Sequence, residues 1–188
     1  MPGPWPVTLI TWNQLQENAE PPAFDFGGVR LFKGPGGKKG PNYLAVIPRV
    51  EDALELAEHA TPELDAWTID VIGSYNIIDE ASTSQPLGDA CKGLMIGLTD
   101  CRSEQDQEAF NTWYRDVHAA DVIEAGFHET AFRYRNQNLS GSPQYCALYE
   151  TSQGGFEAFK ALMLHYREQP SPVADFCVVR HVWALEAT

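Results

Sequence analysis

The order of elements in residues 93–187 constrains the fold more than any other feature of the sequence. Gly93 to Asp100 (GLMIGLTD) reads as a short buried strand ended by a polar turn. A helix follows: Ser103 stands at its cap, acidic residues occupy its first turn, and Phe110, Trp113, Tyr114 and Val117 fall on one face before a Gly126 stop. Phe127 to Arg135 reads as a strand, Asn136 to Pro143 as a hairpin loop, and Gln144 to Glu150 as the returning strand. Gly154 and Gly155 open a second helix running from Phe156 to about Tyr166, and Phe176 to Glu186 closes the set as a third apolar strand run. The first half repeats this order in degenerate form. Its strands are Val7 to Trp12, Gly28 to Lys33, Tyr43 to Ile47 and Trp67 to Ile78, with a helix from Val50 to His59. Residues 13–26 carry two prolines and weak periodicity, which predicts a short or broken first helix.

Strand, helix, strand, strand, helix, strand is the ferredoxin-like βαββαβ arrangement. Each such unit covers one sheet face with helices and leaves the other bare, so two units in one chain are expected to pair their bare faces. The expectation is therefore an α+β fold in which tandem ferredoxin-like units form a dimeric-type α/β barrel within one chain, around a central cavity lined by both halves. Residues 1–81 form the degenerate half, 82–92 a polar linker and 93–188 the second half.

With 26 acidic and 13 basic side chains among 188 residues, the net charge is −13, which argues against nucleic acid or an anionic membrane as partner. No apolar run is long enough to cross a bilayer, and the first basic residue is Arg30, so the expected address is the cytoplasm. The four cysteines contain no CxxC pair, which fits reduced, buried thiols. The glycine-rich run 34–41 lacks the order of a phosphate loop and reads as a hairpin loop. The histidines show no ligand spacing, so neither a metal nor another cofactor is expected.

Several residues carry candidate chemistry. Phe110, Tyr114 and His118 are spaced by four on one helix stripe; His118 could exchange a proton near neutral pH, Tyr114 could donate to a substrate oxygen, and Asp121 could orient the imidazole. The plainer reading has His118 closing the helix on its last carbonyls. His181 interrupts Cys177, Val179, Trp183 and Leu185, which otherwise alternate as one apolar face, and it needs a partner in a ligand or in the core. If the opposite strand face lines the cavity, Arg180 takes its place. Arg133 and Arg135 alternate with Phe132 and Tyr134, so they either project into the barrel to bind a carboxylate or enolate oxygen, or lie outside as solvated charges.

The segment Phe110-Asn-Thr-Trp113-Tyr114-Arg-Asp-Val117-His118, with Gly126-Phe127 and the strand ending Arg133-Tyr134-Arg135, resembles the EthD-like branch of the dimeric α/β-barrel superfamily. Relatives usually place a Pro just after the His, where Ala119 and Ala120 stand here. The resemblance implies a barrel with a ligand cavity, and the superfamily spans cyclases, isomerases, dehydratases and monooxygenases with and without haem. The expected function is a cofactor-independent enzyme of isomerase, cyclase or lyase type. His118, Tyr114 and His181 are its candidate catalytic residues, and Trp113, Asp121, Arg133, Arg135 and Arg180 would bind a small apolar or aromatic carbonyl compound. Two alternatives stand beside it. One is a haem-binding or cofactor-free monooxygenase; the other is a non-catalytic ligand-binding barrel, favoured if Trp5, Trp12, Trp67, Trp113 and Trp183 fill the cavity. A small-molecule substrate and a homodimer are the partners this reading allows.

Overall fold

In a computed structural model, residues 6–24, 27–48, 52–81, 85–171 and 174–188 are described. The eight strands are β1 (Val7–Gln14), β2 (Arg30–Lys33), β3 (Tyr43–Pro48), β4 (Trp67–Ala81), β5 (Gly93–Cys101), β6 (Thr130–Asn136), β7 (Tyr145–Thr151) and β8 (Cys177–Ala187). They close into one antiparallel barrel in the order β1-β3-β2-β8-β5-β7-β6-β4. Within each half the order is that of a ferredoxin-like unit. The two long strands make the seams: β4 pairs with β1 along its first part and with β6 along its second, while β8 pairs with β5 and, at its end, with β2.

Strand alternation decides what lies inside. Leu94, Ile96 and Leu98 of β5 join Leu9, Phe32, Leu44, Val46, Tyr75, Phe132 and Leu148 in one interior cluster drawn from both halves. Met95, Ala131, Tyr145, Ala147 and Tyr149 alternate with these and face the helices instead. β5 is buried at every position because both of its faces are covered. Large apolar side chains fill the middle of the barrel, as they do in other eight-stranded barrels, so the expected cavity lined by both halves is confined to its mouth, where His181 and Trp183 face Thr11, Asn13 and Asp70.

The helices lie outside: α1 (Ala53–His59), α2 (Gln107–Trp113), α3 (Ala119–Glu124) and α4 (Gly155–Glu168). A turn of π-helix, Tyr114–His118, joins α2 to α3. Gly126, with φ of 79°, ends this run as the sequence predicts. Ser103 makes no cap bond to the backbone and pairs with the Asp106 carboxylate at 2.7 Å. No helix is present between β1 and β2 among the described residues. Its place is taken by irregular chain whose Phe24 meets Trp12 edge-on at 5.8 Å. The predicted helix start at residues 49–51, residues 25–26 and the linker positions 82–84 lie outside the described residues.

The two helix-covered spaces differ in consequence. In the first half, Trp12, Trp67, Ile10 and Ile47 pack with Ala53 and Ala57 of α1 into a filled cluster, and the Trp12 indole donates to Thr61 Oγ1 at 2.9 Å. In the second half the corresponding space is left open.

Candidate active site

The open space is a cavity of about 580 Å³ between the outer sheet face and the helices of the second half. Met95, Gly97 and Thr99 of β5, Tyr149 of β7, and Cys177, Val179 and Val182 of β8 form its floor. Trp113, Tyr114, His118 and Val122 form one wall, and Phe159, Leu162, Met163 and Tyr166 of α4 form the other. Among the described lining residues there is no Asp, Glu, Lys or Arg. The chamber therefore suits an uncharged, largely apolar ligand.

The π turn shapes the first wall. The Ala119 N–H donates to the Tyr114 carbonyl, five residues back, so the local repeat is wider than 3.6 residues and residues five apart come into line. Trp113 and His118 stack as a result, with ring centroids 5.1 Å apart and planes within 15°. Tyr114 meets the imidazole edge-on at 4.9 Å and Trp113 at 5.7 Å, so the three rings pack as a triangle. The helix continues through Glu124, so His118 stands mid-run and does not close it. Burial pushes the His118 pKa down to about 4, with Asp121 opposing and Arg133 adding to the fall. The imidazole is thus neutral at physiological pH, and the expectation of a titration near neutrality is corrected.

Tyr114 lies at the base of the cavity, and its hydroxyl accepts a hydrogen bond from the Tyr149 hydroxyl at 3.3 Å. Burial raises both phenols, Tyr114 to about 12, so both remain protonated. With Tyr149 donating, the Tyr114 proton is left for an acceptor in the cavity. The hydroxyl lies over Gly97, where an added Cβ would touch it at 3.4 Å.

Arg133 lies on the same outer face, 2% exposed, beneath the helix. Its guanidinium rests 4.3 Å from the Tyr114 ring centre, and Asn111 Oδ1 accepts from it at 2.9 Å. It is neither a barrel-interior group nor a solvated one, because a helix covers that sheet face. It supports Tyr114 from below and is not part of the cavity lining. Arg135, on the same face, donates to Gln107 Oε1 at the start of α2, away from the cavity.

The alternation expected for β8 fails at a bulge. Leu98 pairs with His181 but Thr99 pairs with Val179, so Arg180 is the extra residue and the strand changes face there. Cys177 and Val179 consequently line the helix-side cavity. His181 and Trp183 turn to the barrel mouth, where their rings stack at 5.0 Å. Arg180 pairs with buried Asp100, whose pKa burial would raise but the Ser142 hydroxyl, the Gln144 N–H and Arg180 lower overall. Asp121 accepts from Ser171 Oγ and makes no hydrogen bond to the imidazole. Trp113, Tyr114 and His118 therefore meet in one cavity, Asp121 stands at its edge through Ser171, and Arg133 lies beneath. His181, Arg180 and Arg135 are elsewhere. Of the tryptophans, Trp12, Trp67 and Trp183 do not enter the cavity, and Trp5 lies outside the described residues.

Two residues were missed from sequence. Tyr149 shares the face of Tyr145 on β7, a relation visible in the alternation once the helix side is known to carry the cavity. His128, 2% exposed, has no hydrogen-bond partner at either ring nitrogen among the described residues, and burial depresses its pKa to about 4. Because the folded value is below the unfolded one near 6.5, the unfolded chain binds the proton first as pH falls. Stability should be full above pH 6.5 and should fall by about 2 kcal/mol between pH 7.5 and 5 from this residue alone. Urea denaturation at the two pH values reads this together with a like share from His118, whose pKa burial lowers equally, so His128→Phe should remove about half of the total difference.

No family model matches the chain. A 58-residue stretch, 30% of the chain, is 38% identical to core atranone cluster (CAC) protein 1 of Stachybotrys chlorohalonatus and spans only 25% of that protein. Solved structures align along nearly the whole chain. A candidate chlorite dismutase covers 97% of this chain and 94% of its own at 8% identity and a TM-score of 0.61. A variant of chlorite dismutase from Candidatus Nitrospira defluvii covers 100% and 92% at 11% identity and 0.59. A candidate monooxygenase from Fusobacterium nucleatum subsp. nucleatum covers 97% and 92% at 7% identity and 0.52. At such identities the likeness is one of fold: the chain has the ferredoxin-like, dimeric α/β-barrel fold that these proteins share. No helix among the described residues is long and apolar enough to cross a membrane. Among these residues no group of three or more His, Cys, Asp or Glu could hold a metal ion.

Proposed function

We propose that the chain is an EthD-like enzyme that moves a proton on a small, neutral, largely apolar or aromatic carbonyl compound held in the helix-side cavity, without a cofactor. One observation carries this reading: a neutral imidazole, His118, and a phenol donor, Tyr114, adjoin one another in a largely apolar chamber whose described lining has no charged residue. The imidazole takes a proton from a C–H beside the carbonyl while the Tyr114 hydroxyl donates to the carbonyl oxygen as negative charge develops there. Isomerisation, cyclisation or elimination all begin with that step. A base this weak suits a C–H already acidified by a second carbonyl or an aromatic ring. Val179 and Val182, exposed on β8, carry the apolar floor of the cavity out to its mouth.

The superfamily resemblance brings haem into view as the alternative. The described lining offers one imidazole, packed against Trp113 and Tyr114, and no lysine or arginine to meet two propionates. These residues do not make a haem site.

Exchange of carbonyl-adjacent protons in heavy water, followed by NMR over a panel of aromatic 1,3-diketones, tests the proposal without knowledge of the product. Exchange should be accelerated by the protein, level from pH 8 to 5, and lost as His118 protonates near pH 4. A profile falling at pH 6.5 would place the base on another, exposed histidine. Tight binding with no exchange would favour the non-catalytic reading, and a Soret band on titration with haemin would favour the haem-binding one.

A further inference from the structure

Cys101 ends β5 and Cys177 begins β8, and the antiparallel register makes them direct Cα partners. Directly opposed residues share a sheet face, and here it is the helix side. Cys177 lines the cavity, and Cys101 packs in the same cluster as Phe110 and Tyr114. The two do not exchange backbone hydrogen bonds. The Cys101 N–H donates to Gln144 Oε1 at 2.9 Å, the Cys177 N–H donates to the Ala174 carbonyl at 3.0 Å, and the adjoining ladder bond runs from the Arg102 N–H to the Phe176 carbonyl. That pattern marks the narrow pair of an antiparallel ladder, in which Cα atoms approach to about 4.5 Å and side chains come closest. Disulfides span Cα separations of about 4.4–6.8 Å. Cys146 lies on the opposite face, toward the barrel interior, and Cys91 packs in that interior cluster.

We propose that Cys101 and Cys177 form a dithiol that a small disulfide of the glutathione type oxidises to an intrachain bond, stapling β5 to β8 at one end of the cavity. Cys177, half-buried and facing the cavity, is the thiol such a reagent meets, whereas Cys101 is buried. The Cys177 thiolate attacks one sulfur of the oxidant and expels the first small thiolate, which takes up the proton Cys177 lost. The Cys101 thiolate then attacks Cys177 in the mixed disulfide, the protein S–S bond forms, and the second small thiolate leaves with the Cys101 proton. Two protein thiols are oxidised, and one small disulfide is reduced to two thiols.

The bond would release Cys101 Sγ from the Ser103 carbonyl, 3.2 Å away in the turn that leads into α2, and would draw Cys177 Sγ from the cavity floor. Oxidation thus acts on the base of the helix run that carries Trp113 and His118. Burial and the neighbouring Cys101 push the Cys177 thiol up to about 11, so attack is slow at neutral pH and should quicken about tenfold per pH unit between 7 and 9.

The test is to incubate the reduced full-length protein with excess glutathione disulfide, quench with acid, and read intact mass and the peptide map. The expected result is a loss of two hydrogens and a reducible link between the peptides of Cys101 and Cys177, forming faster as pH rises. The same treatment of Cys101→Ser should stop at one glutathione on Cys177. Four free thiols in the wild type after a period that fully oxidises the urea-unfolded chain would overturn the proposal. So would a link through Cys91 or Cys146, or a glutathione adduct on wild-type Cys177 that persists.

Discussion

Gly155→Ala is expected to destabilise the protein by at least about 3 kcal/mol and to shift α4 off the barrel. A Cβ at this position would stand 2.0 Å from the Leu185 carbonyl oxygen and 2.9 Å from its carbon, both backbone atoms of β8. Gly93 closes the other side, since its own added Cβ would lie 2.2 Å from the Gly155 nitrogen. No side chain can rotate away from these contacts, so a whole element must move. The Gly155 and Phe156 N–H groups donate to Glu186 at 3.0 and 2.9 Å, and movement of α4 breaks this cap. Phe159, Leu162 and Met163 travel with the helix, so the cavity should lose its second wall and with it the binding of apolar ligands. Gly154→Ala is the internal comparison, because its Cβ would meet only the flexible end of the Glu186 side chain at 3.1 Å. Urea denaturation of both variants gives the contrast. Equal and small losses in the two would show that β8 gives way more easily than its burial implies.

The glycine pair shows what was legible in the sequence and what was not. Gly154 and Gly155 mark the start of a helix from composition alone, but the reason for Gly155, a backbone-to-backbone approach, depends on a strand thirty positions downstream. The same division runs through the fold. Strand and helix order followed from periodicity, because β5 and β7 are apolar runs and the helix before Gly126 carries its apolar stripe. Closure into a barrel followed from the two bare sheet faces. The position of the cavity did not, since alternation assigns residues to two faces without saying which face is packed full. The bulge at Arg180 was equally hidden: one inserted residue turns Cys177 and Val179 to the helix side while His181 and Trp183 face the barrel mouth. The π turn was missed because a stripe spaced by four fits an ordinary helix, and it alone explains why Trp113 stacks on His118. The sequence leaves Arg133 either interior or solvated, and the third outcome, a cation buried under a helix against Tyr114, depends on where α2 lands.

His118→Ala is expected to lower the rate of carbonyl-adjacent proton exchange by about 10²- to 10⁴-fold, the range for losing a positioned acid or base. The ring does more than transfer a proton, since it packs on Trp113 and Tyr114, so the alanine variant should also lose stability. His118→Gln keeps much of the volume and a polar end while removing the base, and it separates the two effects. If proton transfer is the role, both variants lose exchange to a similar degree, although the glutamine variant stays nearer the wild-type stability. Tyr114→Phe should cost less, about 10- to 100-fold, because it removes one donor worth about 1.5–3 kcal/mol to a developing negative charge and keeps the ring over Arg133. The phenylalanine variant also leaves the Tyr149 hydroxyl without its acceptor, so a Tyr149→Phe change on top of it should add little further loss. Should His118→Gln exchange protons at the wild-type rate while Tyr114→Phe abolishes exchange, the phenol pair would be the working group and the imidazole a wall of the cavity.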